Sequence, residues 1–205
     1  MPFGYTGQNQ PKQTVSNSGV FSITDVAELQ SQGKLGGSLE LIAEETFTNS
    51  SAVENTSIQE DIYDVHMLYI NAEGSTALNS GIQFYESGVL ETASVYDYVH
   101  QYGTSGGSFG EGKSTASNRI YTVNYGATYN TGLYIYFYNL NNSSVNSIMT
   151  YQGVQALASS TTMFYGGGTL KQQSIVDGFR VYLNTGTITG EYKLYGVKQL
   201  WVLWD

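Results

Sequence analysis

From Ser38 onward, apolar side chains recur at every second position. Leu39, Leu41 and Ala43 alternate with Glu40 and Glu44, and Tyr63, Val65, Met67 and Tyr69 with Asp64, His66, Leu68 and Ile70. Ile82 and Phe84 alternate with Gln83 and Tyr85 before a Glu86-Ser87-Gly88 turn. Tyr96, Tyr98, His100 and Tyr102 share one face of the next segment. Leu133, Ile135 and Phe137 oppose Tyr134, Tyr136 and Tyr138 with almost no polar relief. Val145-Ser147-Met149-Tyr151, Phe179-Val181-Leu183 and Lys193-Tyr195 continue the pattern, and Val197-Gln199-Trp201-Leu203 closes it. A period of two between Gly, Ser, Asn and Asp punctuation predicts strands of about five to nine residues. No proline follows Pro11, so none blocks ladder bonding. Gly103–Asn118 lacks apolar periodicity and is expected to form a long exposed contact loop carrying Ser105, Phe109 and Lys113. Gly166-Gly167-Gly168 reads as a further break.

Upstream the period differs. Ser22 is a good N-cap, Asp25 can close a capping box, and Phe21 with Val26 has the spacing of a hydrophobic staple. Ile23, Val26 and Ala27 share a face, and Gly33 is placed to end the helix, which predicts a short helix over 23–32. The first twelve residues hold both prolines, Pro2 and Pro11, among Gly, Gln and Asn, and read as an extended arm. The expected fold is therefore all-β: an antiparallel sandwich or jelly roll over residues 38–205, preceded by an arm and one short helix over 1–37. Phe3, Tyr5, Phe21, Val26 and Leu29 are the apolar anchoring contacts that the N-terminal segment offers.

Charge sharpens the picture. Only 12% of the 205 residues are charged, against about 25% in ordinary soluble domains. The net charge of −9, with 8 scattered basic residues, gives no footprint for a nucleic acid. No apolar run approaches the ~18 residues of a membrane span, and the N-terminus lacks the apolar core of a signal peptide. Without cysteine there is no disulfide, thiolate metal site or Cys nucleophile. Between Leu35 and Gly112 there are acids but no Lys or Arg, whereas the chain from Lys113 onward is mildly basic. That division fits either complementary docking faces or a solvated acidic face.

Candidate chemistry is sparse. Gly107-Ser-Phe-Gly-Glu-Gly-Lys-Ser114 matches a phosphate-loop pattern, but that chemistry needs a preceding buried strand and a following helix. The β-branched sequence after Ser114 offers no such helix, and the match is rejected. His66 and His100, the two histidines, lack partners at a recognised ligand spacing and read as half-buried strand residues. Glu60, Asp61 and Asp64 could contribute to a calcium site, although a solvated loop is the simpler reading. No catalytic, cofactor or metal site is assigned, and no paired carboxylates point to a glycosidase. The tyrosine stripes at 96-98-102 and 134-136-138 are open to three readings: plain sheet packing, a protein interface, or a platform for sugars.

The segments Gly19-Val-Phe-Ser-Ile-Thr-Asp-Val-Ala-Glu-Leu29 and Gly33-Lys-Leu-Gly-Gly-Ser-Leu-Glu-Leu-Ile42 resemble the opening of structural proteins of marine tailed bacteriophages, cyanophages included. Tyr63–Asn71 and Gly190–Lys198 are similar to later strands of the same proteins. The resemblance implies a non-enzymatic virion component, assembled in the host bacterial cytoplasm, and transfers no catalytic residue. Expected partners are other capsid or tail proteins and further copies of the chain, as a trimer. On this reading residues 1–37 anchor the protein and the sandwich is displayed as a capsid decoration or tail appendage. The alternative is a receptor- or glycan-binding module of a tail fibre, taking a host surface glycan.

Overall fold

The computed structural model describes Thr24 and residues 39–76, 78–125 and 129–197. The chain divides into two units, Met1–Ser38 and Leu39–Asp205. The expected arm, the helix over 23–32 apart from Thr24, and the anchoring residues Phe3, Tyr5, Phe21, Val26 and Leu29 lie outside the described residues, as does the closing stretch beyond Val197.

The second unit is an antiparallel β-sandwich. Its strands are β1 (Leu39–Ser50), β2 (Ala52–Asn55), β3 (Val65–Gly74), β4 (Leu78–Glu86), β5 (Val89–Leu90), β6 (Tyr96–Thr104), β7 (Phe109–Ser117), β8 (Ile120–Tyr125), β9 (Thr131–Tyr138), β10 (Ile148–Ala156), β11 (Thr161–Leu170), β12 (Val176–Leu183) and β13 (Ile188–Val197). The large sheet has eight strands in the order β1-β13-β3-β9-β10-β11-β6-β7. The smaller sheet runs β2-β12-β4-β5, and β8 also pairs with β4. The period of two produces this arrangement directly, because successive side chains fall on opposite faces and one face of each sheet must be buried. In β9, Leu133, Ile135 and Phe137 are buried while Tyr134 and Tyr136 are exposed.

A zigzag of rings joins the two sheets. Tyr96 of β6 packs on Phe84 of β4, Phe84 on Phe137 of β9, Phe137 on Phe179 of β12, and Phe179 on Tyr192 of β13, with centroid separations of 5.7–6.2 Å. The Tyr96 hydroxyl accepts the Phe84 backbone N–H at 3.0 Å and donates to the Glu91 carbonyl at 3.0 Å. A buried phenol tolerates this position because its polar tip is satisfied. Where β4 meets β8, the Ser80 hydroxyl lies 2.6 Å from that of Thr122 and donates to the Val123 carbonyl at 2.7 Å.

Two expectations about glycine are corrected. The segment 103–118 is a β-hairpin, not a long loop. The Thr104 N–H donates to the Ser108 carbonyl at 2.8 Å, and Gly107, with φ of 86°, closes a three-residue turn into β7. Its apolar pattern is silent because β7 lies at the sheet margin, with glycine on its inner face and solvent on its outer one. The aromatic rings of β6 lie over those glycines. A Cβ on Gly112 would fall 2.3 Å from the His100 ring, and one on Gly110 would fall 2.4 Å from the Tyr102 ring. Gly166-Gly167-Gly168 is likewise no break but the middle of β11. A Cβ at each of these three positions would meet a neighbouring strand's carbonyl oxygen at 2.5–2.7 Å.

The division of charge along the sequence does not become a division in space. Arg180 pairs with Glu54 at 3.2 Å, Lys171 with Asp97 at 2.9 Å and Lys193 with Glu44 at 3.8 Å. Each pair joins a cation of the C-terminal part to an acid of the middle, because β12 and β13 insert beside β2 and β1, and the end of β11 lies beside the start of β6.

Candidate functional site

The outward face of the large sheet is built by register. One row across the eight strands reads Leu41, Tyr195, Met67, Tyr136, Thr150, Gly167, Val99, Lys113. The next reads Glu44, Lys193, Tyr69, Tyr134, Gln152, Tyr165, Gln101, Glu111. Charge is confined to the ends of both rows. The central strands β9, β10 and β11 contain no Asp, Glu, Lys or Arg at all.

Among the described residues, ten of the fourteen exposed large apolar side chains stand on this one face, Val99 at 57% exposure and Tyr134 at 51% among them. Isolated apolar residues are normal on a surface, whereas a contiguous set with a charged margin is the signature of an interaction surface. The margin consists of the Glu44–Lys193 pair at one end and of Lys113–Glu111 (2.9 Å) and Lys171–Asp97 (2.9 Å) at the other.

The face is also grooved. Where β11 carries Gly167 and no side chain rises, a shallow depression of about 1050 Å³ opens between Val99 and Lys113 on one side and Ile148 and Thr150 on the other. A second depression of about 550 Å³ is lined by Met67, Tyr134, Tyr136, Thr150 and Gln152. Tyr69 and Tyr134 lie 5.2 Å apart with tilted rings, and Tyr136 stacks on Tyr138 at 6.5 Å. Tyr165 donates its hydroxyl to Gln101, which ties β11 to β6 on the same face.

The two tyrosine stripes therefore part company. Tyr134, Tyr136 and Tyr138 look outward. Tyr96, Tyr98 and Tyr102 turn into the sandwich, where Tyr98, His100 and Tyr121 form a stack with centroids 4.8–5.9 Å apart. Burial pushes the Tyr121 phenol up to about 12. Of the expected contact residues, Phe109 is 85% exposed and Lys113 forms the exposed pair with Glu111. Ser105 exchanges two hydrogen bonds with Thr161, its N–H donating to the carbonyl at 2.8 Å and its hydroxyl accepting the N–H at 3.0 Å. That ties the β6–β7 turn to β11. Val99, Ile148, Val154, Met163 and Tyr165 were not marked by the sequence. Their alternation was readable in β10 and β6, but nothing in one chain says which apolar face is left open.

His66 and His100 are both core residues. The His66 Nε2–H donates to the Ile58 carbonyl at 2.8 Å, and Tyr63 meets its ring edge-on. Burial lowers the pKa of both imidazoles. Each therefore binds fewer protons folded than unfolded, so their contribution is intact above the ordinary histidine value of 6.5 and is lost as pH falls below it. Urea unfolding at about pH 7.5 and about pH 5 is expected to show this acid loss. His100→Phe keeps a ring against Tyr98 and Tyr121 with nothing to protonate, so its loss should be smaller. An equal loss in both chains would remove His100 from the account.

Glu60, Asp61 and Asp64 lie on the connection into β3. Among the described residues no three His, Cys, Asp or Glu side chains group as metal ligands. Gly107–Ser114 forms a turn and an edge strand, a geometry without the helix N-terminus that a phosphate loop requires. Among the described residues no helix is long and apolar enough to cross a membrane. No family model matches the sequence, and no curated protein is significantly similar to it.

Proposed function

We propose that this protein is a non-enzymatic structural subunit of a tailed-phage particle, and that it packs against neighbouring protein subunits through the outward face of its eight-stranded sheet. The observation that carries this reading is the concentration of exposed apolar and tyrosine side chains on β9, β10, β11 and β6, three of which carry no charge. A surface so poor in charge gains by being covered, and its apolar centre with a charged margin is how protein interfaces are built. Residues 1–37 serve as the anchor in this reading, and the sandwich is the displayed part, on the capsid or on the tail.

The test is made on particles. Antibody raised against the chain is expected to label purified phage particles. A Tyr134→Glu/Val154→Glu chain, changed only at exposed positions, is expected to melt like the wild type yet fail to enter particles. Unlabelled particles, or equal incorporation of the double variant, would overturn the proposal.

One observation favours a second reading, a glycan-binding module. Tyr134 and Tyr136 border a depression together with Thr150 and Gln152, which supplies ring faces for stacking on a sugar and hydroxyl and amide groups for its hydroxyls. Saturable binding to an arrayed bacterial surface glycan, lost in Tyr134→Ala, is the outcome that would select it.

A further inference from the structure

We propose that β7 is the contact strand of a two-fold homodimer, pairing antiparallel with β7 of a second copy about Gly112. The inference concerns the margin of the large sheet, not its outward face; it does not depend on how that face is used, and it puts a dimer in place of the trimer expected from the sequence.

β7 ends the eight-stranded order, and among the described residues no strand pairs with its far side. The hydrogen bond from the Thr104 N–H to the Ser108 carbonyl sets the phase of the β6–β7 ladder. Two and four residues on, the bonded pairs are Tyr102 with Gly110 and His100 with Gly112. Phe109, Glu111 and Lys113 occupy the alternate positions, so their N–H and C=O groups point away from β6, along the free margin. An exposed row of this kind is a template for another strand.

The other margins are protected. β1 carries a bulge at Ile42, and the charged residues of the strand itself, Glu40, Glu44 and Glu45, are all acids, so a second copy of β1 would set acid against acid. β2 and β5 have only four and two residues, and β8 only six. β7 is nine residues long, has no proline, and is charged only at Glu111 and Lys113.

Those two charges choose the partner and the register. Because the free backbone groups belong to odd-numbered residues, a two-fold axis can pass through Gly110, Glu111, Gly112, Lys113 or Ser114, the last of which sets Lys113 against Thr115 and Glu111 against Ser117 and forms no charge pair. An axis at Glu111 sets Glu111 against itself, and one at Lys113 sets Lys113 against itself. An axis at Gly110 places Lys113 beyond the strand, opposite the turn. An axis at Gly112 sets Glu111 opposite Lys113 twice, and these become the hydrogen-bonded pairs of the new ladder. The strand is thus electrostatically complementary to a second copy of itself, which is what an isologous contact requires. The same pairing lays the exposed Phe109 beside Thr115 of the second copy. The existing contact between Lys113 Nζ and Glu111 Oε1 at 2.9 Å joins exposed side chains that are free to exchange partners.

The experiment measures the mass of the full chain in solution by light scattering across a concentration series. Wild type is expected to be a dimer that dissociates on dilution. Lys113→Glu and Glu111→Lys, each with its far-ultraviolet spectrum intact, are each expected to weaken that dimer by about tenfold or more, since like charges then oppose. An equimolar mixture of the two variants is expected to recover a dimer containing one of each. That recovery separates a contact between copies from the pair within one strand, which stays broken in both variants. A monomer at the highest soluble concentration, a trimer, a dimer indifferent to both variants, or a mixture without mixed dimers would each overturn the proposal.

Discussion

Replacing Phe137 by alanine is expected to lower the free energy of unfolding by about 3–5 kcal/mol, the range for deleting a large ring from a packed core. Phe137 sits on β9 in the middle of the large sheet, is 1% exposed, and is held between two rings of the opposite sheet. Phe84 meets it edge-on and Phe179 stacks on it, each at 5.7 Å. Those two rings are themselves fixed against Tyr96 and Tyr192, so neither can swing into the vacated space. The cavity then persists, and the full cost of lost contacts is felt. With domain stabilities of about 5–15 kcal/mol, this single change removes a large share of the total. Tyr136→Ala, one residue away on the outward face, is expected to cost less than about 1 kcal/mol. Urea unfolding of both variants measures the difference directly. Equal losses would show that the zigzag of rings does not organise the core.

That comparison also shows what the sequence could and could not reveal. Leu133-Ile135-Phe137 against Tyr134-Tyr136-Tyr138 announces a strand through its period of two, but both faces are apolar, and period alone does not say which one is buried. The answer depends on the smaller sheet. It covers the first face with Phe84 and Phe179 and leaves the second open. The stripe at 96-98-102 had the same sequence signature and the opposite fate. For the Gly103–Asn118 hairpin the usual signal was absent, because an edge strand whose inner face is glycine carries no apolar alternation. Its turn was nonetheless written in the chain, since Gly107 is where a three-residue connection needs a left-handed backbone. Lys113 and Phe109 stand out in the sequence only through the missing apolar periodicity of Gly103–Asn118. Their partner Glu111, and the significance of that spacing, needed the ladder phase.

Glycine gives the second large expected effect, and here sequence is mute in a measurable way. Gly190→Ala is expected to destabilise the sandwich by about 1–3 kcal/mol or more, whereas Gly132→Ala is expected to be close to neutral. Both glycines lie inside strands, and both have a residue of β3 as cross-strand neighbour: Gly190 faces Ala72, and Gly132 faces Asn71. A Cβ on Gly190 would stand 2.2 Å from the Asn71 carbonyl oxygen and 2.6 Å from the Ala72 Cα, contacts with backbone that no rotamer change can relieve. Relief would require β13 to move from β3, and with it the strand on which β1 pairs. At Gly132 nothing lies within 4 Å of the added methyl group, because the position is on the outward face. Alanine there restricts the unfolded chain more than glycine does, which offsets any small loss in the folded state. Thermal melts of the two single variants beside wild type distinguish them. A Gly190→Ala chain that melts with wild type would mean that β13 and β3 can part slightly at no cost. The close approach at Gly190 would then be incidental to stability, and the sheet's tolerance would have to be sought in the twist of β13 instead of its packing.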